Sequence, residues 1–121
     1  MWWTIAVVVG MALVVVWMVM KPPANVGDRS KLGRTFSAAE QHRIESRRVT
    51  AQQLGDATCE DGQACWIAVD GIVYDMGGFP KWARGRHHGV EAGQDCTEAF
   101  VGSGHAVTVL QKMPVVGGYD G

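Results

Sequence analysis

Nineteen consecutive residues, Trp2 to Met20, carry no charge and are mostly Val, Ala, Met, Leu and Ile. As a helix this run would reach ~28 Å at ~1.5 Å per residue, close to the hydrocarbon thickness of a bilayer. Trp2 and Trp3 at one end and Trp17 near the other suit the interfacial aromatic belts, and Lys21 with Pro22-Pro23 ends the helix. A cleaved signal peptide would need a basic leading region, a shorter apolar core and a small-x-small cleavage site, and the run offers none of them. The sequence therefore predicts a retained single-pass anchor over residues 1–20, with the bilayer as its first partner. No Lys or Arg precedes the run, whereas Lys21, Arg29, Lys31 and Arg34 follow it, which predicts a cytoplasmic location for the remainder. A chain of 121 residues then has room for one small domain besides the anchor.

Charge is unevenly placed along that remainder. Residues 21–48 hold seven Lys/Arg and three Asp/Glu, a net +4, whereas residues 49–121 hold four and nine, a net −5. An acidic domain argues against nucleic acid as its partner and suits docking on a basic protein surface, or simply aids solubility. Residues 21–36 carry Pro, Gly, Asn, Asp and Ser without periodicity and read as a linker. Ser37-Ala38-Ala39-Glu40 has the form of a capping box, opening a short helix through about Arg48. Its apolar face is thin (Ala38, Ala39, Ile44), so it reads as a solvated stalk or, failing that, a contact for another subunit. His42 on this helix reads as solvated.

The globular domain is expected over residues 49–121. Thr50 can cap a single turn through Leu54. Cys65-Trp66-Ile67-Ala68-Val69 and Ile72-Val73-Tyr74-Asp75-Met76 then flank Asp70-Gly71, a strong hairpin signal because both turn positions need positive φ. Pro114-Val115-Val116-Gly117 reads as a last strand, giving an α+β class. The three cysteines form neither a disulfide framework nor a zinc pattern. Cys59 and Cys65 could bridge a short loop, although an isolated pair more often stays reduced; a bridge would argue against the cytoplasmic side.

Between the hairpin and the last strand lie Gly85-Arg86-His87-His88-Gly89, then Ala92-Gly93-Gln94-Asp95-Cys96-Thr97-Glu98-Ala99-Phe100, then Gly104-His105. Imidazoles after glycine-rich turns, with apolar residues between them, can grip an iron porphyrin from both faces. Flanking glycines let the backbone approach the porphyrin edge. Val73, Met76, Phe79, Trp82, Phe100, Val107 and Leu110 are available to line an apolar cleft, or simply to pack a core. No Cys-x-x-Cys-His is present, so attachment through thioethers is excluded.

Three stretches together resemble the cytochrome b5-like haem/steroid-binding domain: the hairpin from Cys65 to Asp75, the motif from Ala92 to Phe100, and Gly104-His105. The resemblance covers about Val49 to Gly117. It implies a cytochrome b5-like fold in which two histidines hold non-covalent haem b in a cleft above a mixed sheet, with His105 as one ligand. The family's usual His-Pro-Gly-Gly element stands here as His87-His88-Gly89-Val90, which puts His87 in the other ligand position. An alternative register, in which a tyrosine of some members precedes Gly-Val, selects His88. Several residues that the family normally has before Ala92-Gly93 are missing, which leans toward its shorter, membrane-anchored, steroid-receptor-like branch. The implied function is a membrane-tethered carrier of single electrons serving redox protein partners, as a candidate subunit of a larger membrane complex, and not an enzyme on its own. The alternative is an adaptor that binds haem or another small hydrophobic ligand without passing electrons.

Overall fold

The computed structural model describes residues 25–82, 85–87 and 89–121. The anchor expected over Trp2–Met20 lies outside these residues. Among the described residues, no helix is long and apolar enough to cross a membrane.

Two capping boxes open the helical part. Ser37 accepts from Glu40 N and Glu40 accepts from Ser37 N, starting helix α1 (Ala38–Ser46). Thr50 and Gln53 exchange the same pair of bonds at the start of α2 (Ala51–Asp56). Each box satisfies two donors that a helix start otherwise leaves orphaned. Between the helices, β1 (Arg48–Val49) pairs in parallel with the last strand, β6 (Val115–Tyr119). Helix α1 is no stalk. Arg43 donates to Val115 O, Gly118 N donates to Arg47 O, and half-buried Ile44 packs into the main core.

The sheet runs β1-β6-β3-β2, with β2 (Trp66–Val69) and β3 (Ile72–Asp75) forming the hairpin. Asp70 and Gly71 have φ of 52° and 78°, the handedness that a two-residue turn requires, and pair Val69 with Ile72 and Ala68 with Val73. Side chains alternate across a strand, so the two faces of this sheet build two cores. Ile67, Val69, Tyr74, Met76 and Val115 join one with Trp82, Phe100, Leu110 and Met113. Ala68 and Val73 join the other with Val49 and Leu54.

The connector does more than its composition suggests. Asp28 caps a 3-10 turn over Arg29–Leu32 by accepting from Ser30 N. Lys31 and Arg34, both in the segment read as linker, are buried. The Arg34 side chain, 3% exposed, donates to Met113 O and to Glu40, and its guanidinium lies over the rings of Phe36 and Tyr74. Cys59 and Cys65, whose sequence leaves a bridge open, are joined in a disulfide with Cα atoms 4.2 Å apart, beside a β-bridge between Thr58 and Cys65.

Removing Glu40 leaves the enclosed Arg34 charge without its counterion and takes away half of a capping box. Glu40→Ala is expected to cost about 3 kcal/mol in urea unfolding. The Ser37 N–H bond and then the Arg34 guanidinium hold the Glu40 carboxyl below its ordinary value. The contribution is therefore full at neutral pH and lost as pH falls through that depressed value; a wild-type minus variant difference that stays constant into acid would contradict it.

Candidate functional site

Both histidines singled out in the sequence project from short, tightly held turns. After a 3-10 turn at Pro80–Trp82, Gly85 N donates to Trp82 O and Gly85 O accepts from Ala92 N. That closes a small ribbon of β4 (Arg86–His87) and β5 (Val90–Glu91), whose pairs are Arg86 with Glu91 and His87 with Val90. An exposed ion pair, Arg86 to Glu91 at 2.9 Å, ties the ribbon's open end. Gly85 has φ +73, and a Cβ there would collide with the carbonyl oxygen of Thr58. Glycine is therefore required where this ribbon leaves the domain.

The second turn hangs from the free edge of β2. Ala68 N donates to Gln94 O, and Cys96 N donates to Ala68 O, so residues 94–96 run along that strand. The Asp95 carboxylate accepts from Thr97 N and opens helix α3 (Thr97–Val101). Beyond it, Ser103 Oγ donates to Phe100 O and accepts from His105 N, fixing the turn before helix α4 (Val107–Gln111).

These two turns bring the His87 and His105 rings together, with centroids 6.1 Å apart and planes inclined by 18°. Trp82 backs His87 at 5.4 Å between centroids. The rings flank a cleft of about 560 Å³, within the roughly 300–1,000 Å³ of ordinary small-molecule sites. Ile67 and Val69 contribute from the sheet, Met76, Phe79 and Trp82 from one side, and Ala99, Phe100, Val109 and Met113 from the other. Exposed Lys81 and Lys112 also line the cleft. A separate hollow of about 440 Å³, between α2, β1 and Trp66, contains no histidine.

Of the lining expected from sequence, Met76, Phe79, Trp82 and Phe100 reach the cleft. Val73 does not, because the hairpin register puts it with Ala68 on the opposite face. Leu110 lies one layer behind, in the core under the cleft, and Val107 is not among the lining residues. His88 lies outside the described residues. Ile67 and Val69 went unremarked in the sequence, although strict alternation from Cys65 would have found them. Val90, Val109 and Met113 carry no such signal, since they come from short irregular segments.

Cys96 also lines the cleft, and burial, with Asp95 beside it, pushes its thiol up to about 11. It is thus protonated at neutral pH. Among the described residues, no three His, Cys, Asp or Glu are placed to hold a bare metal ion. A two-point grip suits a metal that a prosthetic group already holds in its plane. One atom bound at about 2 Å by each of two imidazoles would keep the ring centroids roughly 6 Å apart, as they stand here. The apolar walls on either side fit a flat macrocycle around that atom.

Residues 50–120 match the family described as cytochrome b5-like haem/steroid-binding domain. Among solved structures, the chain is similar to a cytochrome b5 domain protein of Hadesarchaea YNP_N21, at 36% identity and a TM-score of 0.56, covering 60% of this chain and 97% of that one. It is likewise similar to a cytochrome b5 domain protein of Methanococcoides burtonii, at 32% identity and a TM-score of 0.57, covering 61% and 97%. No curated protein matches.

Replacing Gly85 tests whether the ribbon's exit fixes its histidine. Gly85→Ala is expected to destabilise the domain by about 2 kcal/mol or more, combining a left-handed backbone with a backbone collision. Amide shifts in an NMR spectrum should move most at residues 86–91; shifts that leave the ribbon in place would remove this constraint.

Proposed function

This chain belongs to the cytochrome b5-like haem/steroid-binding domain family, and from that premise we propose that it is a b-type haem protein that carries single electrons between redox partners. One observation carries the reading: the His87 and His105 rings stand 6.1 Å apart across an apolar cleft. Bound haem supplies reversible one-electron exchange at its iron. The chain's own residues do the rest. His87 and His105 would hold the iron from both sides and would leave its chemistry to electron exchange. Trp82, Phe100, Val69 and Met113 line the cleft and would exclude water from a bound macrocycle, favouring retention without a covalent bond.

Trp2–Met20 supports a membrane tether, and a tether would concentrate the carrier beside membrane-bound donors and acceptors, consistent with a subunit of a larger redox complex. The net −5 over residues 49–121 supports docking on basic protein surfaces rather than on nucleic acid. The Cys59–Cys65 disulfide supports an oxidising compartment for the domain, opposite to the side that the Lys/Arg distribution alone suggests. A second reading, an adaptor for a small hydrophobic ligand such as a steroid, is favoured by the apolar cleft and the family's description.

The test is an oxidised and dithionite-reduced absorption spectrum of the full chain in detergent, with a pyridine haemochrome assay. One haem per chain and a sharp low-spin reduced α-band are expected. His105→Ala and His87→Ala should each convert the spectrum to high-spin or empty the site, whereas His88→Ala should leave it low-spin. A wild-type chain without haem, yet with saturable sterol binding, would replace the carrier with the adaptor. An unchanged His87→Ala spectrum would take that residue out of the ligand set.

A further inference from the structure

We propose that Lys31 is a positioning residue for the His105 turn, so that the segment ahead of the family domain is a working part of the haem site. The proposal rests on the haem reading of the cleft. The family match begins at residue 50, so Lys31 lies well outside it, in a stretch whose composition reads as linker.

The geometry is specific. Lys31 is only 3% exposed, and its ammonium donates to Asn25 O at 2.8 Å, Val101 O at 3.1 Å and Ser103 O at 2.8 Å. An ammonium has three donors and no acceptor, so all three are used. Two of the accepting carbonyls belong to the end of α3 and the turn beyond it, where the helix leaves its last carbonyls unsatisfied and favours a cation. The Phe100 ring lies 4.8 Å from the same nitrogen, the distance of a cation–π contact.

The relay to the histidine is short. Ser103 gives its carbonyl to Lys31, and its hydroxyl accepts from His105 N. Two further contacts hold the strap to α3: Gly27 N donates to Val101 O at 2.8 Å, and exposed Arg29 pairs with Glu98 at 3.1 Å. A methionine would fill the same space without the cost of burying a charge. What lysine adds is three directed hydrogen bonds and a fixed positive charge behind Phe100, a wall of the cleft. That charge favours the electron-richer state of a redox group bound there.

The experiment compares wild type, Lys31→Met and Lys31→Arg in the full chain in detergent. In the haem-free protein, amide hydrogen exchange in Lys31→Met should quicken roughly tenfold or more at residues 102–105, the scale of a lost charged hydrogen bond. Exchange at Ile67–Val69 should stay as in wild type. In the haem-loaded protein, Lys31→Met should pass haem to an apo-globin acceptor faster and show a more negative midpoint potential, with Lys31→Arg nearer wild type in potential. Exchange that quickens evenly across the sheet would make Lys31 an ordinary stability residue and overturn the proposal. Unchanged exchange at 102–105 would overturn it too, as would a potential that falls equally in Lys31→Arg. A wild-type chain that takes up no haem would defeat the haem reading instead, and with it the site role proposed for Lys31.

Discussion

The two-residue turn Asp70-Gly71, both residues at positive φ, fixes the phase of the β2–β3 hairpin. Everything about the cleft depends on that phase. With Val69 opposite Ile72, the side chains of Ile67, Val69, Tyr74 and Met76 fall on one face, and Ala68 and Val73 on the other. A slip of one residue would exchange the two sets. It would turn small Ala68 toward the cofactor space and bulky Tyr74 toward α2. Segment 94–96 is registered on the same hairpin through Ala68, so α3, Phe100 and the His105 turn inherit the phase as well.

The parts of this fold legible in the sequence are those whose determinants lie within a few residues of each other. The Ser37/Glu40 box, the Thr50 cap and the Asp70-Gly71 turn are local chemistry, and the structure contains each where the sequence places it. The cytochrome b5-like α+β domain was legible by another route, through the family resemblance of the hairpin, the Ala92–Phe100 motif and Gly104-His105 taken together. Val73 was misassigned to the cleft because an apolar residue in a strand says nothing of its face until the register is known. Lys31 and Arg34 were opaque for another reason. Their partners are backbone carbonyls and a carboxylate reached through the fold, such as Val101, Ser103 and Met113, some seventy or more residues away. Carbonyls are offered by every residue, so no side-chain pattern advertises them.

The same bonds change what the connector's charge means. Counted along the chain, residues 21–48 look like a basic stretch ready for lipid headgroups or an acidic partner. In the fold, Lys31 and Arg34 are buried, Arg43 is turned onto Val115 O, and Arg29 and Arg48 pair with Glu98 and Asp120. Much of the positive charge is spent holding the domain to its own N-terminal segment. The connector acts as a structural layer of the domain rather than as a free basic stretch.

The disulfide deserves a reading alongside that layer. Thr58, directly before the Cys59–Cys65 loop, sets its carbonyl against Gly85 at the exit to the His87 ribbon, and the Cys65 sulfur lies 3.9 Å from Trp82 O. On the far side of the cleft, the His105 turn is held by an ammonium and three carbonyls. The two jaws are thus fastened by unrelated chemistries, one covalent and one electrostatic. A thiol reductant would loosen only the first jaw, and a lost cation only the second. Each histidine turn can therefore slacken while the other stays fastened to the domain.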